Sequence, residues 1–219
     1  MPPESFLIWG AGGHGKVVYD LLHALGHRVV GWIDRDPQAF HTLQPLSDTT
    51  IRVGQEEFME LARTTGYPKG VTAVALGIGD NRARLEALTN LGALPVPSLV
   101  HPSAVLSPLA SVGRGTVIFP VAVVNAGATI GDAVIINSGA IVEHECVVEN
   151  GAHISPGAVL AGAARLGRCS WLGAGATVVP STVVGANAIV GAGAVVLDDV
   201  QDAATVVGNP ARLIRRPSQ

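Results

Sequence analysis

Charge and aromatic surface are what this chain has least of. Of its 219 residues, 14% are charged and 4% aromatic, and the formal net charge is −3. So small and slightly acidic a balance gives no electrostatic case for nucleic-acid binding. Cysteine is scarce too. Cys146 and Cys169 are too few for a disulfide framework, and a reducing, cytoplasmic setting is the expectation. Hydrophobic residues reach 48%, yet Gly, Asn, Asp or Pro interrupts every apolar run before the length of a membrane span, about 18 residues. The opening segment from Met1 to Trp9 has no basic residue ahead of its short apolar run, so no signal peptide is expected.

What the chain does have is a repeat. Every sixth residue from Val100 onward is aliphatic: Val100, Leu106, Val112, Ile118, Val124, Ile130, Ile136, Val142, Val148, Ile154, Leu160, Leu166, Leu172, Val178, Val184, Val190 and Val196. The fifth residue of each hexad is small, as at Ala104, Ala122, Ala140, Cys146, Ala158, Ser170 and Ala188; Val134 and Val200 are the exceptions. Period six is neither the helical 3.6 nor plain strand alternation. It fits a short strand and a turn, repeated, with three such units closing a triangular coil and the aliphatic residues stacking inside. Cys146, at an inward position, is then a core thiol. Gly113, Gly131, Gly167, Gly173, Gly185 and Gly191 are predicted to supply turn conformations that residues with a side chain avoid.

The first hundred residues follow other rules. Phe6–Trp9 reads as a buried strand, Lys16–Leu25 as a helix, Arg28–Ile33 as a strand ending at Asp34, Glu56–Thr65 as a helix, Val71–Leu76 as a strand and Arg82–Leu91 as a helix, with 35–50 as loop around Pro37 and Pro45. Alternating strands and helices predict a small parallel α/β sheet of Rossmann-like order. The boundary is set near Pro97, giving residues 1–97 and 98–219. Gly10, Gly12 and Gly15 fit G-x-G-x-x-G between strand and helix, a turn where backbone can approach a pyrophosphate at a helix N-terminus. Asp34 ends the next strand and is placed to accept hydrogen bonds from ribose or base. The same stretch satisfies G-x4-G-K, but Val17 follows where a P-loop needs a hydroxyl for Mg²⁺, which argues against an NTPase. A dehydrogenase would have no substrate domain except the repeat.

Gly10 to Val17, Ile33-Asp34, Gly79-Asp80-Asn81, Val100 to Ala104 and the hexads together resemble the NeuD/PglD type of sugar acyltransferase, along essentially the whole chain. The resemblance implies a Rossmann-like α/β domain followed by a left-handed parallel β-helix, assembled as a homotrimer with acetyl-CoA bound between subunits. It implies a nucleotide-activated amino sugar as partner, held at Ala11, Gly12, Gly13, His14, Gly15, Asp34 and Asn81, with Asn137 beside the base holding substrate or the imidazole. It implies an acetyl-CoA contact at Gly162, with His153 either a second contact or an interface histidine, and small side chains leave room for the CoA along Gly173, Ala174 and Ala192. Gly208 to Ala211 resembles the family's tail, and Arg212, Arg215 and Arg216 are placed either to meet CoA phosphates or to form a solvated basic end.

Within the repeat, charged groups cluster at Glu143-His144-Glu145. Acyl transfer to an amine needs the ammonium deprotonated, an oxyanion stabilised and a thiolate released. His144 is assigned as general base and Glu145 as the carboxylate that orients it. Glu143 is left facing solvent. One full coil separates His144 from Gly162, so the two should stack. Half a coil separates His144 from His153, which sets them on opposite sides of the triangle and leads to sites shared between chains. The expected activity is acetyl-CoA-dependent N-acetylation of a 4-amino group on a nucleotide-linked sugar. O-acetylation of a sialic-acid-like sugar is the alternative, and a structural trimer or β-helix metalloenzyme lies outside acyl transfer. No metal is expected, because His144 and His153 are the only histidines after His101.

Overall fold

The computed structural model describes residues 4–36, 38–40, 51–64 and 66–215. The expected loop at Pro37 and Pro45, the end of the second helix at Thr65, and Arg216 lie outside the described residues, as does the side chain of Arg215. The chain divides into two compact units, Met1–Leu99 and Val100–Gln219.

In the first unit the described elements run β1 (Ser5–Trp9), α1 (Gly13–Ala24), β2 (Arg28–Asp34), β3 (Ile51–Gly54), α2 (Gln55–Thr64), β4 (Ala73–Leu76) and α3 (Asn81–Leu91). The sheet order is β3-β2-β1-β4, and every pairing is parallel. β1 is central, and Phe6, Leu7, Ile8 and Trp9 are all buried, as expected for a parallel strand covered on both faces. β3 escaped the sequence reading because Ile51-Arg52-Val53-Gly54 is a short edge segment with one buried residue, Val53.

Helix α1 begins three residues earlier than expected. Gly12 is its N-cap, without a side-chain hydrogen bond, and Gly13, His14 and Gly15 form its first turn. The reason is packing: a Cβ on Gly15 would sit 3.0 Å from the Gly10 carbonyl carbon and 3.2 Å from the Trp32 ring. Only a glycine lets the helix start flush against the loop.

The second unit is a parallel β-helix. Two-residue strands pair in parallel with their copies eighteen residues on, as in Thr129↔Val147, Ile135↔His153 and Ile141↔Val159. They build faces of five, six and eight strands, the last closed by an antiparallel strand at Arg212–Arg215. The aliphatic and small hexad positions form one core column, with Ile136, Val142, Cys146, Ile154, Leu160 and Ala164 fully buried.

Turn chemistry differs from expectation at one point. Positive φ falls on the fourth residue of the hexad, at Gly115, Val121, Gly127, Ala133, Gly139 and Glu145 and onward, not on the glycines at the second position. Those glycines serve close approach instead. A Cβ on Gly167 or on Gly173 would lie 2.6 Å from the backbone nitrogen of the next coil, at Ala186 or Ala192. Among the described residues, no helix is long and apolar enough to cross a membrane.

Candidate active site

In the first unit, β1 and β4 both end in glycine turns that open onto one cleft. Its volume is about 400 Å³, and its walls include Gly10, Gly12, Asp34, Gly77, Gly79 and Glu86. Gly10 carries φ +113 and would clash through a Cβ with the Gly77 backbone, so the two turns touch through bare backbone. Asp34 Oδ2 accepts from the Ala11 N–H at 2.7 Å and Oδ1 from the Asp36 N–H at 2.9 Å. A carboxylate has about four acceptor positions, so capacity for a ligand hydroxyl or base edge remains on the cleft side.

The predicted nucleotide residues thus separate by role. Gly12 and Asp34 line the cleft. Ala11 is buried and gives its N–H to Asp34. Gly13 is an exposed first-turn residue of α1, and Gly15 is a packing residue. His14 is partly buried against Gly79. Burial, together with the Arg84 guanidinium, pushes its imidazole down to about 4, so it is neutral at pH 7. Asn81 turns its Oδ1 to Arg84 Nη2 at 2.9 Å.

Arg84 itself went unnoticed in the sequence. It is fully buried and donates to the carbonyls of Ile78 and Gly79 at 3.1 and 3.0 Å. The available signal was its position on the apolar stripe of α3, in helical register with the buried Leu88 and Leu91.

In the second unit, the turn from Glu143 to Cys146 joins the six-stranded face to the five-stranded one. His144 and Glu145 are its two corner residues, and Glu145 has φ 59. That left-handed bend swings the carboxylate beside the ring, with His144 Nδ1 3.3 Å from Glu145 Oε2. The pair is 61% and 72% exposed, so it faces outward from the helix. Among the described residues, Nε2 has no hydrogen-bond partner. Gly162 lies on the next coil, directly against the ring: a Cβ there would be 2.6 Å from Nε2. Its N–H likewise has no acceptor among the described residues, while its neighbour Ala163 donates to the His144 carbonyl at 2.8 Å. Glu143, left solvent-facing by the sequence reading, is half-buried and accepts from Asn125 Nδ2 at 2.9 Å. Cys146 is fully buried with its thiol pushed up by burial, and its Sγ lies 3.1 Å from the Ala161 carbonyl.

The other predicted residues gather elsewhere. His153 is on the eight-stranded face, opposite the vertex that carries His144. Its Nε2 is 3.2 Å from Asn137 Nδ2, and its ring stacks on Trp171 at 5.9 Å and 5°. Trp171 Nε1 donates to the buried Ser155 Oγ at 2.7 Å. Asn137 therefore attends His153 within one chain, not His144. The expected path from Gly162 to Ala174 and Ala192 is also split. Twelve residues is two thirds of a coil, so Gly173, Ala174 and Ala192 fall at the vertex between the eight- and six-stranded faces, near Asn137. Among the described residues, no group of three or more His, Cys, Asp or Glu side chains is placed to hold a metal ion.

Comparison with known proteins agrees with both units. Residues 5–91 match the PglD N-terminal domain, and residues 163–198 match the bacterial transferase hexapeptide (six repeats). The acetyltransferase domain of PglB from Neisseria gonorrhoeae is 36% identical, with 96% of this chain and 100% of that one aligned and a TM-score of 0.83. PerB from Caulobacter crescentus, solved with CoA and GDP-perosamine, is 33% identical over 96% of this chain and 97% of its own, with a TM-score of 0.86. A curated relative, UDP-N-acetylbacillosamine N-acetyltransferase from Bacillus subtilis, is 36% identical over 126 residues, so the match spans about half the length of that protein (50%) and of this chain (52%). Identity at this level over nearly the whole of both aligned chains, with both units matched in order, shows that the chain belongs to the hexapeptide-repeat sugar acetyltransferases that carry a PglD-type N-terminal domain.

Proposed function

We propose that this protein transfers the acetyl group of acetyl-CoA to the 4-amino group of a nucleotide-linked amino sugar. The observation that carries the reading is the His144–Glu145–Gly162 arrangement. Nδ1 is engaged by a carboxylate at 3.3 Å, and Nε2 lies open beside a glycine whose N–H is uncommitted. The neutral amine attacks the thioester carbonyl, and Nε2 takes the proton the nitrogen sheds. Glu145 holds the ring and offsets the charge of the imidazolium. The oxyanion of the tetrahedral intermediate is within the reach of a backbone donor such as the Gly162 N–H. Collapse expels the CoA thiolate, which takes the proton back, leaving an amide and free CoA. No covalent acyl-enzyme is needed, and the inward Cys146 thiol is not available for one. The cleft lined by Gly12 and Asp34 holds the nucleotide, consistent with relatives whose names specify UDP- or GDP-linked amino sugars. Acetyl-CoA as co-substrate sets the reaction in the cytoplasm.

The same reading puts each active site between two chains of a homotrimer. Asn137, His153, Gly173, Ala174 and Ala192 gather at one side of the coil, and His144, Glu145 and Gly162 at the opposite vertex. One chain cannot close both around one acetyl group; two neighbouring chains of a closed ring can.

The test is thiol release from acetyl-CoA with UDP-, dTDP- and GDP-linked 4-amino-4,6-dideoxy sugars, alongside CMP-sialic acid and free sialic acid, with His144→Ala as control. Turnover on one amino sugar, reduced about 10²-fold or more in the control, is the expected result. Turnover only on sialic acids moves the acceptor to a hydroxyl with the same base, and silence across the panel refutes the activity. Mixing inactive His144→Ala chains with inactive Asn137→Ala/His153→Ala chains tests the shared site. Random reassembly leaves about a quarter of sites with both halves intact, whereas a site built within one chain recovers nothing.

A further inference from the structure

The buried arginine of the first unit has a consequence for the nucleotide cleft. The loop after β4, Gly77-Ile78-Gly79, forms one wall of that cleft. Arg84, one turn into α3, lies wholly buried behind it and grips the Ile78 and Gly79 carbonyls from one amino group while the other holds Asn81 Oδ1. The peptides 78–79 and 79–80 are trans. In a trans peptide the carbonyl and the following N–H point in opposite directions. With both carbonyls drawn toward the buried guanidinium, the N–H groups of Gly79 and Asp80 face away from it, to the open side. Neither has an acceptor among the described residues, in contrast to Gly77, whose N–H is spent on the Trp9 carbonyl at 2.7 Å.

We propose that Arg84 is a positioning residue for the phosphates of the nucleotide sugar: by holding the Ile78 and Gly79 carbonyls back, it presents the Gly79 and Asp80 N–H groups to phosphoryl oxygens. This rests on the nucleotide-sugar reading given above. Two features of the site support it. Both donors stand at the start of α3, where the helix dipole favours an anion. The Asp80 carboxylate beside them is turned to the Ala83 N–H at 2.8 Å as the helix cap. A fixed positive charge behind a glycine loop supplies the potential that the loop, lacking lysine or arginine side chains of its own, does not. It also helps keep the neighbouring His14 neutral, so that ring meets the ligand as a dipole and adds no charge of its own.

Ligand-observed NMR titration of GDP and UDP, with guanosine and uridine beside them, tests the proposal on the full-length protein and on Arg84→Met and Arg84→Lys. In Arg84→Met the diphosphate that binds the wild type is expected to lose at least tenfold in affinity. Its nucleoside should stay within twofold, and the His14 titration should move up from about 4. Arg84→Lys keeps the charge and cannot span both carbonyls, so it should leave His14 low and still weaken the diphosphate severalfold. Equal weakening of nucleoside and diphosphate would reduce Arg84 to a general structural residue and overturn the proposal. So would unchanged diphosphate binding in Arg84→Met or, should that variant not fold, in Arg84→Lys. If the wild type binds no nucleotide at all, the nucleotide-sugar reading itself fails and takes this proposal with it.

Discussion

Gly162→Ala is the sharpest perturbation the acyl-transfer corner offers, because it adds one methyl group and changes no charge. The added Cβ would lie 2.6 Å from His144 Nε2, 2.8 Å from Cε1 and 3.3 Å from Cδ2. Ordinary contact between such atoms is about 3.5–4.0 Å, so the imidazole must retreat by roughly 1 Å. It is free to do so: the ring is 61% exposed and is held by a single 3.3 Å contact to Glu145. Gly162 does not occupy a positive-φ position, and the bond from Ala163 N–H to the His144 carbonyl is backbone and survives. The fold should therefore lose little, about 1 kcal/mol or less. Catalysis should lose much more. Displacing a base by about 1 Å costs on the order of 10²-fold in kcat, about 2.7 kcal/mol on the barrier. Steady-state thiol release at saturating acetyl-CoA gives kcat, and a thermal melt on the same sample gives stability. A Gly162→Ala enzyme within threefold of wild type in kcat would show that the ring does not work from this position. A large drop in melting temperature would show that the glycine serves the coil and not the base.

Further consequences are open to direct measurement. Glu145→Gln keeps the geometry and removes the negative charge beside the imidazolium; at 72% exposure that charge is well screened, so kcat should fall only about tenfold, and an unchanged kcat would refute the pairing. His14 should titrate near 4 by NMR. Since the unfolded chain takes up this proton near 6.5 and the folded chain only near 4, His14 costs stability as pH falls through that interval, up to about 3 kcal/mol, and nothing above it. Denaturant titrations of wild type and His14→Gln should therefore diverge only below pH 6.5. Val121 is β-branched at φ 56 and 66% exposed, so Val121→Gly should raise the melting temperature, relieving strain of about 1 kcal/mol. Gly167→Ala drives a Cβ to 2.6 Å from the Ala186 nitrogen and 2.7 Å from the Gly185 carbonyl carbon, both rigid backbone, and should lower it instead.

How much of this could be read from sequence depends on whether a residue's role is set by period or by neighbours in space. The hexads gave the β-helix, the inward direction of Cys146 and the stacking of Gly162 on His144, because a strict repeat turns sequence separation into distance. The alternating strands and helices gave the β/α order of the first unit but not β3, whose four residues carry too little apolar pattern. The glycine motif is legible while its roles are blurred: Gly15 packs, Gly12 lines the cleft and Ala11 donates its N–H to Asp34, and those differ only through what Gly10, Trp32 and Asp34 place beside them. Asn137 was assigned beside the base by resemblance, and within one chain it holds His153. Arg84 was missed because a charged residue next to leucines reads as surface until its carbonyl partners are known.

The repeat also explains why chemistry appears at some vertices and not at others. Wherever proline does not stand, as it does at Pro102, Pro108, Pro120, Pro156 and Pro180, a corner of the coil carries a turn N–H, and the three vertices differ in what becomes of those donors. Side chains take the donors of one vertex almost throughout, while on the Ala174 and Ala192 column only the Ser138 N–H is taken, by Asn137 Oδ1 at 2.9 Å. At the vertex of Arg114, Asp132, Arg168 and Ala186, the corner N–H groups are taken by Asp132, Asn150, Glu149 and Asp202 side chains at 2.7–3.0 Å. At the vertex of Ala126, His144 and Gly162, and at Ala174 and Ala192 on the remaining one, no acceptor is supplied by the described residues. The small side chains of Ala126, Ala174 and Ala192 and the bare Gly162 leave these donors reachable by a ligand with carbonyl and phosphoryl oxygens. With His144 on only one of these two vertices, the shared site proposed above would bring the other vertex of a second copy of the chain toward it. A scaffold regular in backbone is thus made asymmetric by a few acidic and amide side chains, and the proposed sharing of each site between two copies of the chain rests on that asymmetry as much as on any single residue.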